Sequence, residues 1–134
     1  MSNKLNETVG SVSYDELINS AFPHADVFSV KIRKLGTAAT LKRGTVLALS
    51  TGTAGDGKMV ILGTTAASNE TLTANCVLAD DVDVGTSADV IANAYRVGHL
   101  NRNKLIVKTG YTFTAADEED LRKGGIILDT ALEA

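Results

Sequence analysis

The chain has 134 residues and a mass of 14.0 kDa, with 44% hydrophobic, 22% charged and 4% aromatic residues. Chains divide into further domains mostly beyond ~250 residues, so a single core is expected; the composition excludes disorder throughout, a collagen repeat and a disulfide scaffold. A formal charge of −3, with six basic and four acidic side chains over residues 1–50 and seven against twelve thereafter, removes nucleic acid as the default partner, and the scarcity of aromatics argues against base- or sugar-stacking surfaces.

Residues 1–26 show no sustained hydrophobic period and close on the only proline, at Phe22-Pro23-His24. They read as an extended arm that needs a surface to lie against. Within it, Ser13 offers a capping hydroxyl with Asp15 and Glu16 in the first turn, enough for one helical turn that cannot persist alone. The first residues lack the apolar run of a secretory signal, and no segment approaches the ~20 apolar residues that span a bilayer. Synthesis in the cytosol and a soluble chain without a membrane partner are expected.

The body is expected over residues 27–134. From Val27 the period becomes two: Phe28, Val30 and Ile32 point one way, and Ser29, Lys31 and Arg33 the other. Thr45–Ser50 and Lys58–Leu62 are β-prone runs joined by Thr51-Gly-Thr-Ala-Gly-Asp-Gly57, which predicts a hairpin with a Gly-rich loop. A polar stretch from Thr64 to Thr73 precedes further strands at Cys76–Ala79, Asp89–Val97 and Lys104–Lys108. One helix is expected near the end. Thr114 caps it with Asp117 three residues on, Asp117 to Asp120 supply negative charge at its start, and Gly124-Gly125 stops it. Glu118 to Arg122 and Glu119 to Lys123 stand at i,i+4 spacing, and Ile126–Thr130 is the last strand. The fold class is mainly β, a small α+β protein with a compact sandwich or barrel-like body.

Chemical signals are sparse. Gly52 to Lys58 has the G-x-x-x-x-G-K spacing of a phosphate loop, but Met59 replaces the required Ser or Thr and opens a strand where a helix must follow. Asp80-Asp-Val-Asp83-Val-Gly85 lacks the alternating ligand at Gly85 and a closing Glu, so a solvated turn is expected in place of a calcium loop. His24 and His99 have no metal-ligand neighbours, and Cys76 reads as a small buried apolar residue. Lys31, Arg33, Lys34, Lys42 and Arg43 read as a solvated strand face and turn. No catalytic, metal-binding or cofactor-binding residues, and no cofactor, are expected.

The order of segments resembles the bacteriophage head decoration proteins, the family of the lambda decoration protein D. The resemblance rests on Tyr14-Asp-Glu-Leu-Ile, Leu41-Lys-Arg-Gly-Thr-Val-Leu47, the Gly-rich hairpin leading to Lys58-Met-Val-Ile-Leu62, and Val77–Asp83. It continues through Ala94–Asn103 and Leu121-Arg-Lys-Gly-Gly-Ile-Ile-Leu128. It implies a non-enzymatic virion protein with a body of the β-tulip type, bound to the outer surface of the capsid. It further implies a homotrimer at three-fold and quasi-three-fold sites that fastens its arm to the major capsid protein and stabilises the expanded head. Leu5, Val9, Val12, Tyr14, Leu17 and Ile18 are the capsid-contact candidates on that arm, while Arg43-Gly44 and Gly124-Gly125-Ile126 look like structural turn and strand-entry positions. The alternative is a small β-sandwich module binding carbohydrate or another surface, for which Tyr14, Tyr95, Tyr111 and three Phe are a poor supply of stacking groups.

Overall fold

The computed structural model describes residues 17–20 and 25–129. Nine strands lie in it: β1 (Ile18–Ser20), β2 (Asp26–Ile32), β3 (Ala39–Leu41), β4 (Val46–Thr51), β5 (Met59–Ile61), β6 (Thr71–Leu78), β7 (Val82–Val84), β8 (Val90–Asn101) and β9 (Ile126–Asp129). The helix α1 spans Ala115–Gly124. Between sandwich and barrel, the structure decides for a barrel. The sheet runs β8-β2-β5-β4-β6 and returns to β8, which pairs antiparallel with β2 from Val90 to Val97 and with β6 at Val77↔Tyr95 and Leu78↔Ala94. Five strands thus close on themselves. The β2–β5 contact is parallel, at Ile32↔Met59.

Strand alternation sorts the apolar residues into two cores. Val30, Ile32, Leu47, Met59, Cys76, Leu78 and Ala94 come from all five barrel strands and form one cluster, joined by Leu41 of β3 and Val84 of β7. The second cluster takes the opposite face of the same strands, including Val46, Ala48, Val60, Ala74 and Val77, and is covered by Leu121 of α1 and Ile126 and Leu128 of β9. A bulge in β6 makes this division possible: Leu47 pairs with Cys76 but Ala48 with Ala74, leaving Asn75 as an extra residue. One inserted residue reverses which face each side chain meets, so Cys76 joins the first cluster and Ala74 the second. Each fully buried aliphatic side chain contributes about 1.5–3 kcal/mol relative to exposure.

The last four residues of β8 run past the barrel. Gly98 to Asn101 pair parallel with β9, and Leu100 and His99 pair antiparallel with β1. The capping box of α1 forms as the sequence indicates. The Asp117 amide donates to Thr114 Oγ1 at 3.1 Å, and the Thr114 amide donates to Asp117 Oδ2 at 3.0 Å. Gly125, at φ +119°, takes the left-handed position that ends the helix and turns it into β9. The i,i+4 pairs do not form. Glu118 instead pairs with Arg102, 2.6 Å away, and Glu119 pairs with Arg122 one position earlier than expected.

Other expectations need correction. Lys104–Lys108 is not a strand: a 3-10 turn covers Arg102–Lys104, and a single bridge joins Ile106 to Thr45. Ile106 donates to Gly44 O and accepts from the Val46 amide, after which the Lys108 amide turns to Leu62 O. The polar run from Thr64 ends sooner than expected, because Thr71 to Thr73 already pair with β4. The acidic run expected as a turn contains β7, which forms a two-stranded ribbon with β3. Ile18, expected at the end of a helical turn, lies in β1, while Ser13 to Glu16 fall outside the described residues.

Candidate functional site

Of the six capsid-contact candidates, Leu5, Val9, Val12 and Tyr14 lie outside the described residues. Leu17 and Ile18 lie side by side where the chain enters the body and face opposite ways. Leu17 is 1% exposed within the second core cluster, its carbonyl accepting from the Asn101 amide at 2.6 Å, whereas Ile18 is 39% exposed. Leu17, within the segment expected as an arm, thus packs into the body's core. Ile91, Val27, Ile106 and Ile127 are the other large apolar side chains exposed among the described residues.

The Gly-rich hairpin is held by charge. Arg33 donates from Nε and Nη2 to the two Asp56 oxygens at 3.0 and 2.9 Å, and from Nη2 to Glu70 Oε2 at 2.6 Å. Glu70 also accepts from the Ser50 hydroxyl and, at 2.9 Å, from the Ala67 amide. The Ala67 amide, the Ser50 hydroxyl and Arg33 hold the Glu70 carboxyl at about 2; Arg33 is the main cause of the same depression at Asp56. Lys58, the residue at the phosphate-loop position, places Nζ 2.6 Å from Asp89 Oδ2, and Met59 opens β5. The spacing belongs to a braced hairpin.

The basic set does not converge. Arg33 lies in that network, Lys42 lies 3.9 Å from Asp81, and Arg43 donates to the Tyr95 hydroxyl at 2.6 Å and to Ala79 O at 3.0 Å. The Arg43 guanidinium also sits 5.5 Å from the Tyr95 ring centroid, bracing the turn before β4 against β8. Tyr111 donates its hydroxyl to Asp117. None of the described aromatic side chains, Phe28, Tyr95, Tyr111 and Phe113, is exposed, so they offer no stacking platform. In the acidic run, Asp83 accepts from Thr40 Oγ1 at 2.6 Å and Asp81 from the Arg43 amide at 2.7 Å. His99 Nε2 stands 3.5 Å from Asp129, and His24 lies outside the described residues. Among the described residues no group of His, Cys, Asp and Glu is placed to hold a metal ion, and no helix is long and apolar enough to cross a membrane.

The sequence motifs thus resolve into braces of a small closed barrel. The model of one family, the bacteriophage lambda head decoration protein D, matches residues 8–126. The chain belongs to this family. Membership makes it a structural, capsid-binding component of a phage head, located on the virion capsid. No curated protein matches the chain. The matched region includes the barrel, α1 and the first residue of β9, so the fold described above is the family's domain and not an appendage to it.

Proposed function

We propose that the chain binds the outer surface of the phage head as a homotrimer at three-fold and quasi-three-fold sites, and that it stabilises the expanded shell by fastening the segment upstream of Leu17, together with Ile18, to the major capsid protein. The observation that carries this reading is the family match over residues 8–126. Physical reasoning supports the trimer. A single arm binds weakly because each residue it orders costs roughly 1–2 kcal/mol of conformational entropy. Three arms on one knob raise each other's effective concentration, strengthening attachment by ~100-fold or more without new kinds of contact. A closed three-fold knob also matches a shell position that repeats one surface three times about an axis. Leu5, Val9, Val12, Tyr14 and Ile18 are the proposed contacts; Leu17 serves the core.

Cryo-electron microscopy of decorated heads tests the proposal. Trimeric density on the outer surface at three-fold and quasi-three-fold positions is expected, together with heads that withstand heating or chelation better than undecorated ones. Isolated monomers away from those axes, or no density on the head, would overturn it.

A further inference from the structure

The loop between β4 and β5 carries a chemically reactive pair. Asp56-Gly57 is the only Asp-Gly sequence in the chain, and Asn-Gly does not occur. In such a pair the glycine nitrogen can attack the aspartyl Cγ, because no Cβ shields the amide that follows the carboxyl. The surroundings leave room for this. Both residues are exposed, and nothing lies within 4 Å of the place a Cβ on Gly57 would occupy.

The attack needs a protonated carboxyl and a free nitrogen, and the hairpin withholds both. Asp56 must carry a proton before its hydroxyl can leave as water, yet its oxygens are held as a carboxylate. Oδ2 accepts from Arg33 Nε at 3.0 Å, and Oδ1 accepts from Arg33 Nη2 at 2.9 Å and from the Lys58 amide at 3.0 Å. The Gly57 amide meanwhile donates to Ser50 O at 3.0 Å, which fixes its peptide plane in the hairpin. The guanidinium is the looser of these two restraints. The Arg33 and Asp56 side chains keep 28% and 35% of their exposure, so water competes for the fork.

We propose that Asp56-Gly57 is a site of isoaspartate formation guarded by Arg33: once the fork opens, the Gly57 nitrogen closes on Asp56 Cγ and reroutes the main chain through the side chain. The N–Cγ bond forms as the Cγ–OH bond breaks, and the amide proton leaves with the hydroxyl as one water. Water then adds to the Asp56 main-chain carbonyl in the five-membered imide and breaks its bond to the Gly57 nitrogen. The product has the same mass, one more methylene in the main chain, and its carboxylate on Cα. No oxidant or cofactor is consumed. Conversion removes the carboxylate from the Arg33 fork and displaces Gly57 from Ser50, so the hairpin loses its tie to β2. The reaction concerns the body alone and stands or falls separately from the trimer and its capsid sites.

The test incubates the full chain at neutral pH and follows isoaspartate at position 56 by peptide mass spectrometry with electron-transfer fragmentation, which separates isomers of equal mass. Native wild type should convert slowest and wild type in urea fastest. Folded Arg33→Gln should convert ~10-fold faster than native wild type or more, since a carboxyl held at about 2 against an ordinary 3.8 is protonated far less often, with allowance for its exposure. Arg33→Lys keeps a cation for Glu70 but loses the fork, and should fall between the two, so the result does not hang on one variant's folding. The converted protein, separated by chromatography, should melt below the unconverted one. Native wild type converting as fast as in urea would overturn the proposal, as would folded Arg33 variants no faster than wild type. An unchanged Tm after conversion would also overturn it, because the hairpin would then not depend on the Asp56 carboxylate.

Discussion

Arg33 reaches across 37 residues of chain to Glu70, Nη2 to Oε2 at 2.6 Å, while its other donors hold Asp56 on the hairpin loop. One guanidinium thereby ties the end of β2 to the β4–β5 loop through Asp56 and to the β5–β6 connection through Glu70.

That arrangement sets the response to acid. Glu70 titrates at about 2 against an ordinary 4.5, and Asp56 at about 2 against 3.8. The unfolded chain therefore binds more protons than the folded one between these values. The network's contribution is complete above about 4.5 and is lost as pH falls toward 2. Tm measured from pH 7 to 2 should drop through this window, and Glu70→Gln should lower Tm at neutral pH while flattening the acid limb. An equally steep limb in both Glu70→Gln and Asp56→Asn would show that the carboxyls are not linked to folding.

Leu17→Ala should destabilise the body by about 2–5 kcal/mol, because it empties a fully enclosed site in the second core cluster. Urea unfolding gives the number. Ile18→Ala, a half-exposed neighbour, should cost distinctly less, and equal midpoints for the two would contradict the division of faces at the body's first strand.

Thr114→Ala removes the acceptor for the Asp117 amide and should cost about 1 kcal/mol, while Thr114→Ser should be close to neutral. A chemical-denaturation series separates the two. If serine and alanine behave alike, the hydroxyl is not what caps α1.

Cys76 is fully buried among the barrel-interior residues, and burial pushes its thiol up to about 12. It should resist alkylating reagents at pH 8 in the native protein and react at the rate of a free thiol in denaturant. Rapid labelling without denaturant would mean that the barrel opens locally at β6.

Much of this fold is legible in the chain. The alternation at Phe28, Val30 and Ile32, the hairpin about Gly52 to Gly57 and the Thr114/Asp117 cap all follow from local rules, and each appears where those rules put it. The elements that were not legible, β1, β3 and β7, have three residues each and exist only because distant strands pair with them. Thr40 meets Asp83 across 43 residues, a partnership that no local window contains. The same holds at the arm's root, where Leu17 looks like any aliphatic residue in an aperiodic segment until β8 and Gly44 are placed around it. The lysines and arginines were readable as a set but not as separate braces, since Arg33 and Arg43 find their partners 23 to 52 residues away.

The dependence on β8 also bears on synthesis. Residues 1–89 contain four of the five barrel strands, yet β2 and β6 remain two open edges until Val90 to Asn101 is inserted between them. A nascent chain cannot close its barrel before that strand leaves the ribosome, and the cover supplied by α1 and β9 comes later still. Growing chains therefore carry exposed strand edges for most of their translation. The closing step must join segments far apart in sequence, which makes it slow. Barrel closure therefore waits on the strand at Val90–Asn101, and the second core cluster waits further for α1 and β9.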